Sequence, residues 1–420
     1  MPQNYFMKNW NKAAILGAGR EGRALKKYLL KTEDVKKTDI VLLDKKNNPN
    51  YLAHLEDYRI IFRSPGIPYL NESLQAAIRK GSVVSSATRL FFEAALKKRA
   101  FLIGITGTKG KTTTATLIYK IIKSAGKKTF LAGNIGKPMT DIINNVDKDT
   151  IAVLELSSFQ LQDLHLSPHI SAILDISPDH QDVHKSFKEY IEAKSNITKH
   201  QNKNNIVIFS KSDQYSAYIA NKSAGKKIGL SLQDRDPLLS RLEKILKLPG
   251  KHNLKNAYFA AKIGQIMNIS DKTILKTIGN FKGVPFRIQK IKNKPITYND
   301  SASTNPEATI AAIKAVDPDL LIMGGLNKNL SYAKMGKFLK RSAIKTILLY
   351  GSNRKELAKN IPKNISVKRS LTLEDLFKKY NKITEQYKTI LFSPASASMD
   401  QFKNYKERGK SFNSLIKRYS

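Results

Sequence analysis

A glycine-bounded loop rich in lysine and threonine is the strongest chemical signal in this sequence. Gly107 and Gly110 let the backbone turn sharply and aim N–H groups inward. Lys111 adds a positive charge for the outer phosphates of a nucleotide, and the Thr112 hydroxyl is a ligand for Mg²⁺. Because Ile105 stands where the general pattern has glycine, the loop alone also fits an ordinary turn between a strand and a helix. The run is Gly107-Thr108-Lys109-Gly110-Lys111-Thr112-Thr113.

A second glycine-rich run follows the apolar segment 13–16 and reads Gly17-Ala18-Gly19-Arg20-Glu21-Gly22. The next apolar segment, 40–43, ends in Asp44. In a dinucleotide fingerprint, glycines permit a tight turn close to a diphosphate, and an acid about 20 residues further on binds a ribose hydroxyl. The pattern predicts a diphosphate ligand and leaves NAD, FAD and other diphosphates open. The strand-end loop 64–68 is expected beside the same crevice.

Polar residues at the ends of two later apolar segments are expected to meet the phosphate loop. Glu155 follows the segment 151–154, and His180 lies shortly after the segment 170–176. Ligands of parallel sheets bind outside the carboxyl ends of the strands, so these two side chains should converge there. A carboxylate and an imidazole hold Mg²⁺ directly or through water. Lys194, by composition alone, would be a surface lysine.

The elements that position these loops follow an alternating strand and helix pattern. The apolar run 101–106 predicts a strand before the phosphate loop, and apolar residues at helical spacing predict a helix that ends near Gly126. The stretch 214–247 is polar and irregular, without recognisable chemistry, and the segment from Gly250 opens an alanine-rich helix.

The last third of the chain contains three more apolar strands, 320–323, 346–350 and 389–392, each followed by a glycine- or serine-rich turn. Alternating strands and helices predict a further doubly wound sheet. The fold class predicted for the chain is therefore α/β with three doubly wound domains. The expected limits are 1–98, 99–284 and 285–420.

The charge of the chain is strongly positive, +39, from 73 Lys and Arg against 34 Asp and Glu. The lysines are spread along the chain, and no RNA-binding aromatic motif accompanies them, so we expect no specific nucleic-acid binding. Such a charge steers anionic substrates towards the protein. No run reaches the ~18 apolar residues of a membrane span. We expect a soluble, cytoplasmic monomer, and the absence of cysteine excludes disulfides and thiolate chemistry.

The order of these pieces resembles the Mur ligase family of peptidoglycan synthesis over nearly the whole chain. The motifs that carry the resemblance are the phosphate loop, Gly133-Asn134-Ile135-Gly136, Glu155-Leu156-Ser157-Ser158-Phe159-Gln160, Asp179-His180, Gly250-Lys251-His252-Asn253, and the segment from Ser393 to Phe412. The resemblance implies a Rossmann-like domain for a UDP-sugar, a central ATPase domain, and a Rossmann-like C-terminal domain for glutamate. The short form of the phosphate loop is also the family's form.

The activity that the resemblance implies is ATP-dependent amide formation. The carboxylate of UDP-N-acetylmuramoyl-L-alanine attacks the γ-phosphate of ATP to give an acyl phosphate, and the amine of D-glutamate then displaces phosphate. Positioning and charge neutralisation dominate the first step. The expected co-substrate is ATP, with Mg²⁺.

The resemblance also implies site residues. It assigns ATP to Gly107, Thr108, Lys109, Gly110, Lys111, Thr112, Thr113, Asn256, Arg287 and Asp300. It assigns the UDP-linked substrate to Gly17, Gly19, Arg20, Glu21, Asp44, Gly66, Asn134 and Ser157, and glutamate to Thr304, Lys328, Ser398 and Tyr405. It assigns catalysis to Lys111, His180 and Lys194, and the metal to Thr112, Glu155, His180 and a carbamylated Lys194.

Two positions depart from the family pattern. The family's usual Pro-His-Arg is Pro285-Phe286-Arg287 here, and its usual Asp-Ser-Lys-Ala-Thr-Asn is Asp300-Ser301-Ala302-Ser303-Thr304-Asn305. Loss of the lysine and the histidine leaves open a changed amino-acid specificity, such as L-glutamate, with Lys328 as a compensating charge.

Other classes of protein explain less of the sequence. A dehydrogenase accounts only for the segment 17–44, and a folate-polyglutamating ligase would lack that segment. A nucleic-acid-stimulated ATPase accounts for the charge and the phosphate loop, but leaves the C-terminal motif unused.

Overall fold

Three sheets organise the chain, and the first is built from the glycine-rich N-terminal segment. The computed structural model describes residues 12–31, 39–179, 183–327, 330–380 and 386–419. The first sheet contains β1 (Ala13–Leu16), β2 (Ile40–Leu43), β3 (Ile60–Arg63) and β4 (Val83–Ser85), in the parallel order β2-β1-β3-β4. Its helices are α1 (Arg20–Leu29), α2 (Glu72–Arg79) and α3 (Ala87–Lys97), and Leu55–Asp57 forms a 3₁₀ turn. β1 and β3 are buried throughout, because helices cover both faces of such a sheet.

The second sheet carries the phosphate loop. Its strands are β5 (Phe101–Thr106), β6 (Thr129–Gly133), β7 (Ile151–Glu155), β8 (Ile170–Ile173), β9 (Ile206–Ser210) and β10 (Lys226–Leu230). They pair in parallel in the order β10-β9-β8-β5-β7-β6. After β5 the chain forms β6 and β7 on one side of that strand, and then β8, β9 and β10 on its other side. The direction in which strands are added to the sheet therefore reverses at β5. Ligands of doubly wound sheets bind at such a switch point.

Eight helices accompany the second sheet in the described residues. They are α4 (Lys111–Ser124), α5 (Met139–Ile142), α6 (Ser158–Leu161), α7 (Phe187–Lys199), α8 (Gln214–Asn221), α9 (Pro237–Ile245), α10 (Lys251–Ile266) and α11 (Asp271–Gly279). A 3₁₀ turn covers Ile143–Asn145. The helix that was predicted after the phosphate loop is α4, and Gly126 follows it with φ +75°.

The expectation of an irregular pattern over 214–247 is wrong. This stretch forms α8, β10 and α9, and the two helices begin at the capping side chains of Asp213 and Asp236. Their apolar faces are short, with Ile219 in α8 and Leu238 and Leu242 in α9 among the buried residues. Such brief apolar stripes are diluted by polar neighbours, so the sequence pattern understated them.

The third sheet contains β11 (Gln289–Asn293), β12 (Ile296–Asn299), β13 (Leu320–Gly324), β14 (Thr346–Tyr350), β15 (Ser366–Arg369) and β16 (Thr389–Phe392). The order is β11-β12-β16-β13-β14-β15, with β11 antiparallel and the other pairs parallel. The accompanying helices are α12 (Pro306–Val316), α13 (Ala333–Leu339), α14 (Arg354–Lys359), α15 (Leu373–Lys379) and α16 (Tyr405–Tyr419). The predicted α/β class with parallel sheets is confirmed.

The chain packs as two compact units. One covers Met1–Leu246 and His252–Asn280 and holds the first two sheets; the other covers Lys247–Lys251 and Phe281–Ser420 and holds the third. Each sheet lies within one of the expected ranges 1–98, 99–284 and 285–420, and those limits remain a prediction. Among the described helices, none has the length and apolar character needed to cross a membrane.

Candidate active site

The phosphate loop leaves β5 and closes on the start of α4. Gly107 has φ +148° and Gly110 has φ +84°, conformations that L side chains rarely adopt. A Cβ at Gly110 would lie 2.3 Å from Oδ1 of Asn256, so the backbone there passes directly under the α10 side chain. The Lys111 ammonium donates to the carbonyls of Gly107 and Thr108, each at 2.9 Å. The loop therefore presents backbone amides and a lysine at a helix N-terminus, the arrangement that binds phosphate.

Thr108 fixes the loop to its neighbours through its hydroxyl. Thr108 Oγ1 donates to the Ser177 carbonyl at 3.0 Å and accepts from the Ser177 amide at 2.9 Å. It also lies 3.1 Å from the Tyr190 hydroxyl. Since the single Thr108 proton is used, Tyr190 is the donor to Thr108. Burial raises the pKa of Tyr190 to about 12, so the phenol keeps this proton.

Lys194 lies beneath the same loop and is only 1% exposed. Its Nζ donates to the Gly107 carbonyl at 3.1 Å and lies 4.6 Å from the centre of the Tyr190 ring. Burial, and then the charge of Lys111, lower the pKa of Lys194 well below its ordinary value, while Asp179 and Glu155 oppose the shift. The interpretation of Lys194 as a surface lysine is wrong. The buried face of α7 carries it between apolar residues, a periodicity that was readable in the sequence.

Glu155 ends β7 next to the loop strand and is 1% exposed. Its Oε1 accepts from Asn134 Nδ2 at 2.9 Å, and its Oε2 has no hydrogen-bond partner among the described residues. A buried carboxylate oxygen left without a donor fits a hard cation such as Mg²⁺. In the part of the chain that the structure describes, no three His, Cys, Asp or Glu side chains form a metal cluster. His180, the other expected ligand, lies outside the described residues.

The start of α10 packs on the loop through two polar side chains. Asn256, 6% exposed, lies against Gly110, as the Cβ distance above shows. Burial, and then the nearby charge of Lys109, lower the pKa of His252. Lys255 forms an ion pair of 2.6 Å with Asp175.

A cleft of about 410 Å³ opens between the first and second sheets. Six residues that were expected to bind the UDP-linked substrate line it: Gly17, Gly19, Arg20, Glu21, Gly66 and Asn134. Arg20 Nη2 donates to the Gly136 carbonyl at 2.5 Å across the cleft. Burial raises the pKa of Glu21 to about 7, against the opposing charge of Arg63.

The other two expected UDP contacts act on the loops around this cleft. Asp44 Oδ2 accepts from the Ala18 amide at 2.6 Å, and this bond is the main reason that the pKa of Asp44 is lowered. Ser157 caps α6 in a capping box with Gln160, which lines the cleft. Neither Asp44 nor Ser157 is among the lining residues in the described part of the chain.

A buried ion pair that sequence reasoning missed joins the first two sheets. Arg63, 2% exposed at the end of β3, pairs with both carboxylate oxygens of Asp163 at 2.6 and 3.0 Å. It also donates to the carbonyls of Ile67 and Phe159 at 2.7 and 2.6 Å. The carboxylate and the two carbonyl oxygens accept hydrogen bonds from the guanidinium, and these bonds offset the cost of burying its charge. The only local signal was an arginine at the end of an apolar strand.

The C-terminal unit holds Asp300 in a buried setting. Asp300 Oδ2 accepts from the Ser303 and Ser393 hydroxyls at 2.5 and 2.8 Å, and its Oδ1 accepts from the Ile288 amide at 3.1 Å. Burial raises the pKa of Asp300 to about 6, opposed by these hydrogen bonds and by the Arg287 charge.

Of the residues expected to bind glutamate, Tyr405 is the one whose contacts tie it to the Asp300 loop. The Ser301 hydroxyl donates to the Tyr405 carbonyl at 2.8 Å, and Tyr405 begins α16. Thr304 is exposed, and Ser398 is buried at 4%. Lys328 lies outside the described residues.

Arg408 is a further residue that sequence reasoning missed. Its side chain is fully buried and donates to the Ser301 hydroxyl, the Ser301 carbonyl and the Ser396 carbonyl at 3.0, 2.8 and 2.9 Å. Arg408 therefore fixes the loop after β12 and the loop after β16 to the same helix. Composition did not distinguish it from the exposed cations, and the one local signal was its place in the segment from Ser393 to Phe412.

The fold and site define a nucleotide-binding α/β protein with a phosphate loop at the switch point of one sheet and a diphosphate-type glycine loop on another. The family model for the Mur ligase middle domain matches residues 105–264. The UDP-N-acetylmuramoylalanine–D-glutamate ligase of Ruminiclostridium cellulolyticum is 33% identical to the chain, over 96% of each protein. The ligase of the same name from Clostridium botulinum strain Langeland is 31% identical, over 97% of each.

Solved structures agree at the level of the fold. The UDP-N-acetylmuramate–alanine ligase of Thermotoga maritima has a TM-score of 0.60 at 15% identity, over 97% of this chain and 99% of that one. The MurF ligase of Thermotoga maritima, in complex with ADP, has a TM-score of 0.58 at 15% identity, over 87% and 99% of the two chains. The chain belongs to the Mur ligase family, in the group of UDP-N-acetylmuramoylalanine–D-glutamate ligases. The family resemblance seen in the motifs is confirmed.

Proposed function

We propose that this chain is an ATP-dependent ligase that joins D-glutamate to UDP-N-acetylmuramoyl-L-alanine in peptidoglycan precursor synthesis. The observation that carries the proposal is the hydrogen bond between Asn134, which lines the cleft of the first unit, and Glu155, which lies beside the phosphate loop. This bond connects a site suited to a UDP-linked substrate with a site suited to the phosphates of ATP. A ligase that activates a carboxylate with ATP needs both sites close together.

In the first step, a carboxylate oxygen of the substrate attacks the γ-phosphorus of ATP. A new O–P bond forms, the bond to the ADP oxygen breaks, and the product is an acyl phosphate. The negative charge on the phosphoryl group is met by the loop amides and by Lys111, whose ammonium already binds two loop carbonyls. Fixed donors of this kind stabilise the charge that develops on the phosphoryl group in the transition state.

Mg²⁺ would be held by Glu155 and by the Thr112 hydroxyl, with His180 at a second position. When bound, it neutralises charge on the phosphate oxygens and thereby favours attack by an anionic carboxylate. The buried Glu155 Oε2, which has no hydrogen-bond donor among the described residues, is the observation that supports this fit.

Lys194 would serve the same site as a carbamate. Its neutral amine is favoured by burial, and a neutral amine adds to CO₂ with loss of one proton, which turns a cation into a carboxylate-like group. The carbamate would end the repulsion between Lys194 and Lys111. It would also lie next to Gly107, to whose carbonyl Nζ now donates.

In the second step, the neutral amine of glutamate attacks the acyl carbon. The tetrahedral adduct collapses, the C–O bond to phosphate breaks, and the amide forms with loss of the amine proton. Thr304, Lys328, Ser398 and Tyr405 would bind the glutamate, while Asn256, Arg287 and Asp300 would contact ATP. A ligase that accepts a different amino acid, such as L-glutamate, is the second candidate, because Phe286 and Ala302 replace two polar residues of the family pattern.

The reaction would take place in the cytoplasm on a monomer, without nucleic acid. The proposal is tested by measuring release of ADP and of phosphate with each substrate omitted in turn. We expect one ADP and one phosphate per amide formed, and no sustained release without both the UDP-linked substrate and glutamate. Release that needs neither substrate, or that needs DNA or RNA, would contradict the ligase assignment.

A further inference from the structure

The turn that carries Arg287 has an unusual backbone. Phe286 and Ile288, on either side of it, have φ +66° and φ +44°. Non-glycine residues seldom adopt these values, and they persist where surrounding contacts fix them. The backbone position of Arg287 therefore depends on those contacts.

Hydrogen bonds fix this turn, beginning with the bond from the Arg287 amide to the Val284 carbonyl at 3.1 Å. The Phe286 amide donates to Gln289 Oε1 at 3.0 Å, and the Phe286 carbonyl accepts from the Ala302 amide at 2.9 Å. The Ile288 amide donates to Asp300 Oδ1 at 3.1 Å. The turn is therefore tied to the loop that follows β12, and Asp300 is one of the two anchors.

The side chain of Phe286 provides a different kind of contact, against α16. A Cβ added to Gly409 would lie 2.3 Å from Cδ1, 2.7 Å from Cγ and 2.8 Å from Cε1 of the Phe286 ring. Gly409 is buried, and the ring occupies the space that any larger residue there would need. We call this contact the Phe286 seat, made of the Phe286 ring and the Gly409 backbone.

The seat lies on a face of α16 that binds the end of β12. Tyr405, Gly409 and Asn413 are spaced four residues apart and so share one face. Asn299 Nδ2 donates to the Gly409 carbonyl at 2.8 Å and to Asn413 Oδ1 at 2.6 Å. The residue before Gly409, Arg408, holds Ser301. The same helix thus holds both the turn at Arg287 and the loop at Asp300.

We propose that Phe286, seated on Gly409, is a positioning residue that fixes Arg287 and Asp300 relative to Tyr405, and so links the ATP contacts of this unit to its glutamate contact. The inference rests on the proposed function for the roles of those three residues. Phe286 stands where the family pattern has histidine. An apolar ring suits the seat because it packs on a bare glycine backbone, where shape rather than hydrogen bonding holds it.

A double-mutant cycle between Phe286→Ala and Gly409→Ala tests the proposal. Gly409→Ala puts a methyl group where the ring lies, so the ring must leave its seat. Each single variant should raise KM for ATP and KM for glutamate on the order of tenfold, with KM for the UDP-linked substrate within about twofold. The double variant should be no worse than the worse single variant, because both changes remove the same contact. Phe286→Tyr, which keeps the ring, should retain wild-type KM values.

Gly336→Ala is the matched control. Gly336 lies in α13, and a Cβ there would also meet a neighbour at 2.3 Å, in this case the Asn360 carbonyl. The control lowers stability in the same unit without touching the seat. Loss of stability alone predicts a lower active fraction, with unchanged KM values, for this variant.

Three results would overturn the positioning role. They are unchanged KM values in Phe286→Ala, an equal rise in all three KM values, or strict additivity in the cycle. If Gly409→Ala does not fold, Phe286→Ala compared with Phe286→Tyr carries the test.

If the wild-type protein makes no product, the proposed function fails and the positioning role is judged by Mg-ATP binding and thermal unfolding. The positioning role is supported if Phe286→Ala weakens Mg-ATP binding and if the losses of thermal stability in the double-mutant cycle are not additive. The absence of either result overturns the role.

Discussion

Asn134 donates a hydrogen bond from Nδ2 to Oε1 of Glu155 over 2.9 Å. Asn134 lines the cleft between the first two sheets, and Glu155 ends the strand next to the phosphate loop. The bond holds one carboxylate oxygen, and the other, Oε2, has no hydrogen-bond partner among the described residues. The Asn134 side chain therefore contacts the proposed metal ligand Glu155 and also lines the cleft proposed for the UDP-linked substrate.

Asn134→Ala should reduce kcat by about 10- to 100-fold, the range found when a residue that orients a metal ligand is lost. It should also raise KM for the UDP-linked substrate, because the cleft loses a lining residue. Steady-state kinetics with each substrate varied will separate the two effects. Asn144→Ala, an exposed asparagine nearby in the chain, is the control. Wild-type kinetics in Asn134→Ala would remove the link from the mechanism.

Lys111→Ala should abolish product formation, with a loss of at least about 10²- to 10³-fold, because one preorganised charge on the phosphoryl group is removed. Binding of the UDP-linked substrate should change little, since that substrate is assigned to the cleft between the first two sheets and not to the phosphate loop. Product formation and equilibrium binding are measured side by side. Lys120→Ala, exposed on the same helix, is the charge-matched control. Substantial turnover in Lys111→Ala would exclude this lysine from phosphoryl transfer.

Lys194→Ala should be inactive and should regain part of its activity with acetate or formate, which replace the missing carboxylate. Lys111→Ala, assayed in parallel, should show no such rescue. Wild-type protein incubated with ¹³C-bicarbonate should give a carbamate carbon signal in NMR that Lys194→Ala lacks. A wild-type protein without that signal, and insensitive to CO₂ depletion, would speak against the carbamate and leave Lys194 as a buried amine that binds Gly107.

Arg63→Ala should lower the free energy of unfolding by about 3–5 kcal/mol, because it leaves the Asp163 carboxylate buried without its cation. The double variant Arg63→Met with Asp163→Leu should recover much of that loss, since neither charge then remains buried. Lys80→Ala, which breaks an exposed ion pair with Glu56, should cost less than about 1 kcal/mol. Chemical denaturation of the wild type and these three variants measures these differences. A small effect for Arg63→Ala would mean that water reaches Asp163.

The pH dependence of stability should carry a contribution from Asp300. Burial raises its pKa from 3.8 to about 6 in the folded protein. The folded state therefore binds this proton more tightly than the unfolded chain does. The stabilising contribution is fully present below about pH 4 and is lost as pH rises through about 6.

Asp300→Asn removes this titration. Relative to wild type, its free energy of unfolding should rise by roughly 2 kcal/mol between pH 4 and pH 7. Asp317→Asn, at an exposed carboxylate, is the control. Denaturation curves across this range make the comparison. A difference between Asp300→Asn and wild type that does not vary with pH would show that Asp300 ionises normally.

Much of the fold could be predicted because its signals are local. The strands at 101–106 and 346–350 are continuous apolar runs, and Gly107 and Gly110 mark a loop that only certain backbone angles allow. Each of these features can be recognised from residues that are neighbours in the sequence. The candidate phosphate loop could therefore be located from the sequence.

Other features depend on residues far apart in the chain. Arg63 meets Asp163, Arg408 meets Ser301, and Phe286 meets Gly409 only after folding. Charge and composition made the two arginines look like ordinary surface cations. Composition made Lys194 look like a surface lysine, whereas the structure buries it beneath the phosphate loop. The roles that the resemblance assigns to Lys194, His180 and Lys328 stay predictions, and the last two residues lie outside the described residues.

The most direct test of the proposed ligase activity is mass-spectrometric detection of product from UDP-N-acetylmuramoyl-L-alanine, Mg-ATP and either D- or L-glutamate. The proposal predicts a product heavier by one glutamyl residue with D-glutamate, none with L-glutamate, and one phosphate released per product. Product with L-glutamate alone would contradict the D-glutamate assignment and identify Phe286 and Ala302 as marks of a changed specificity. No product with either enantiomer would contradict the ligase activity itself.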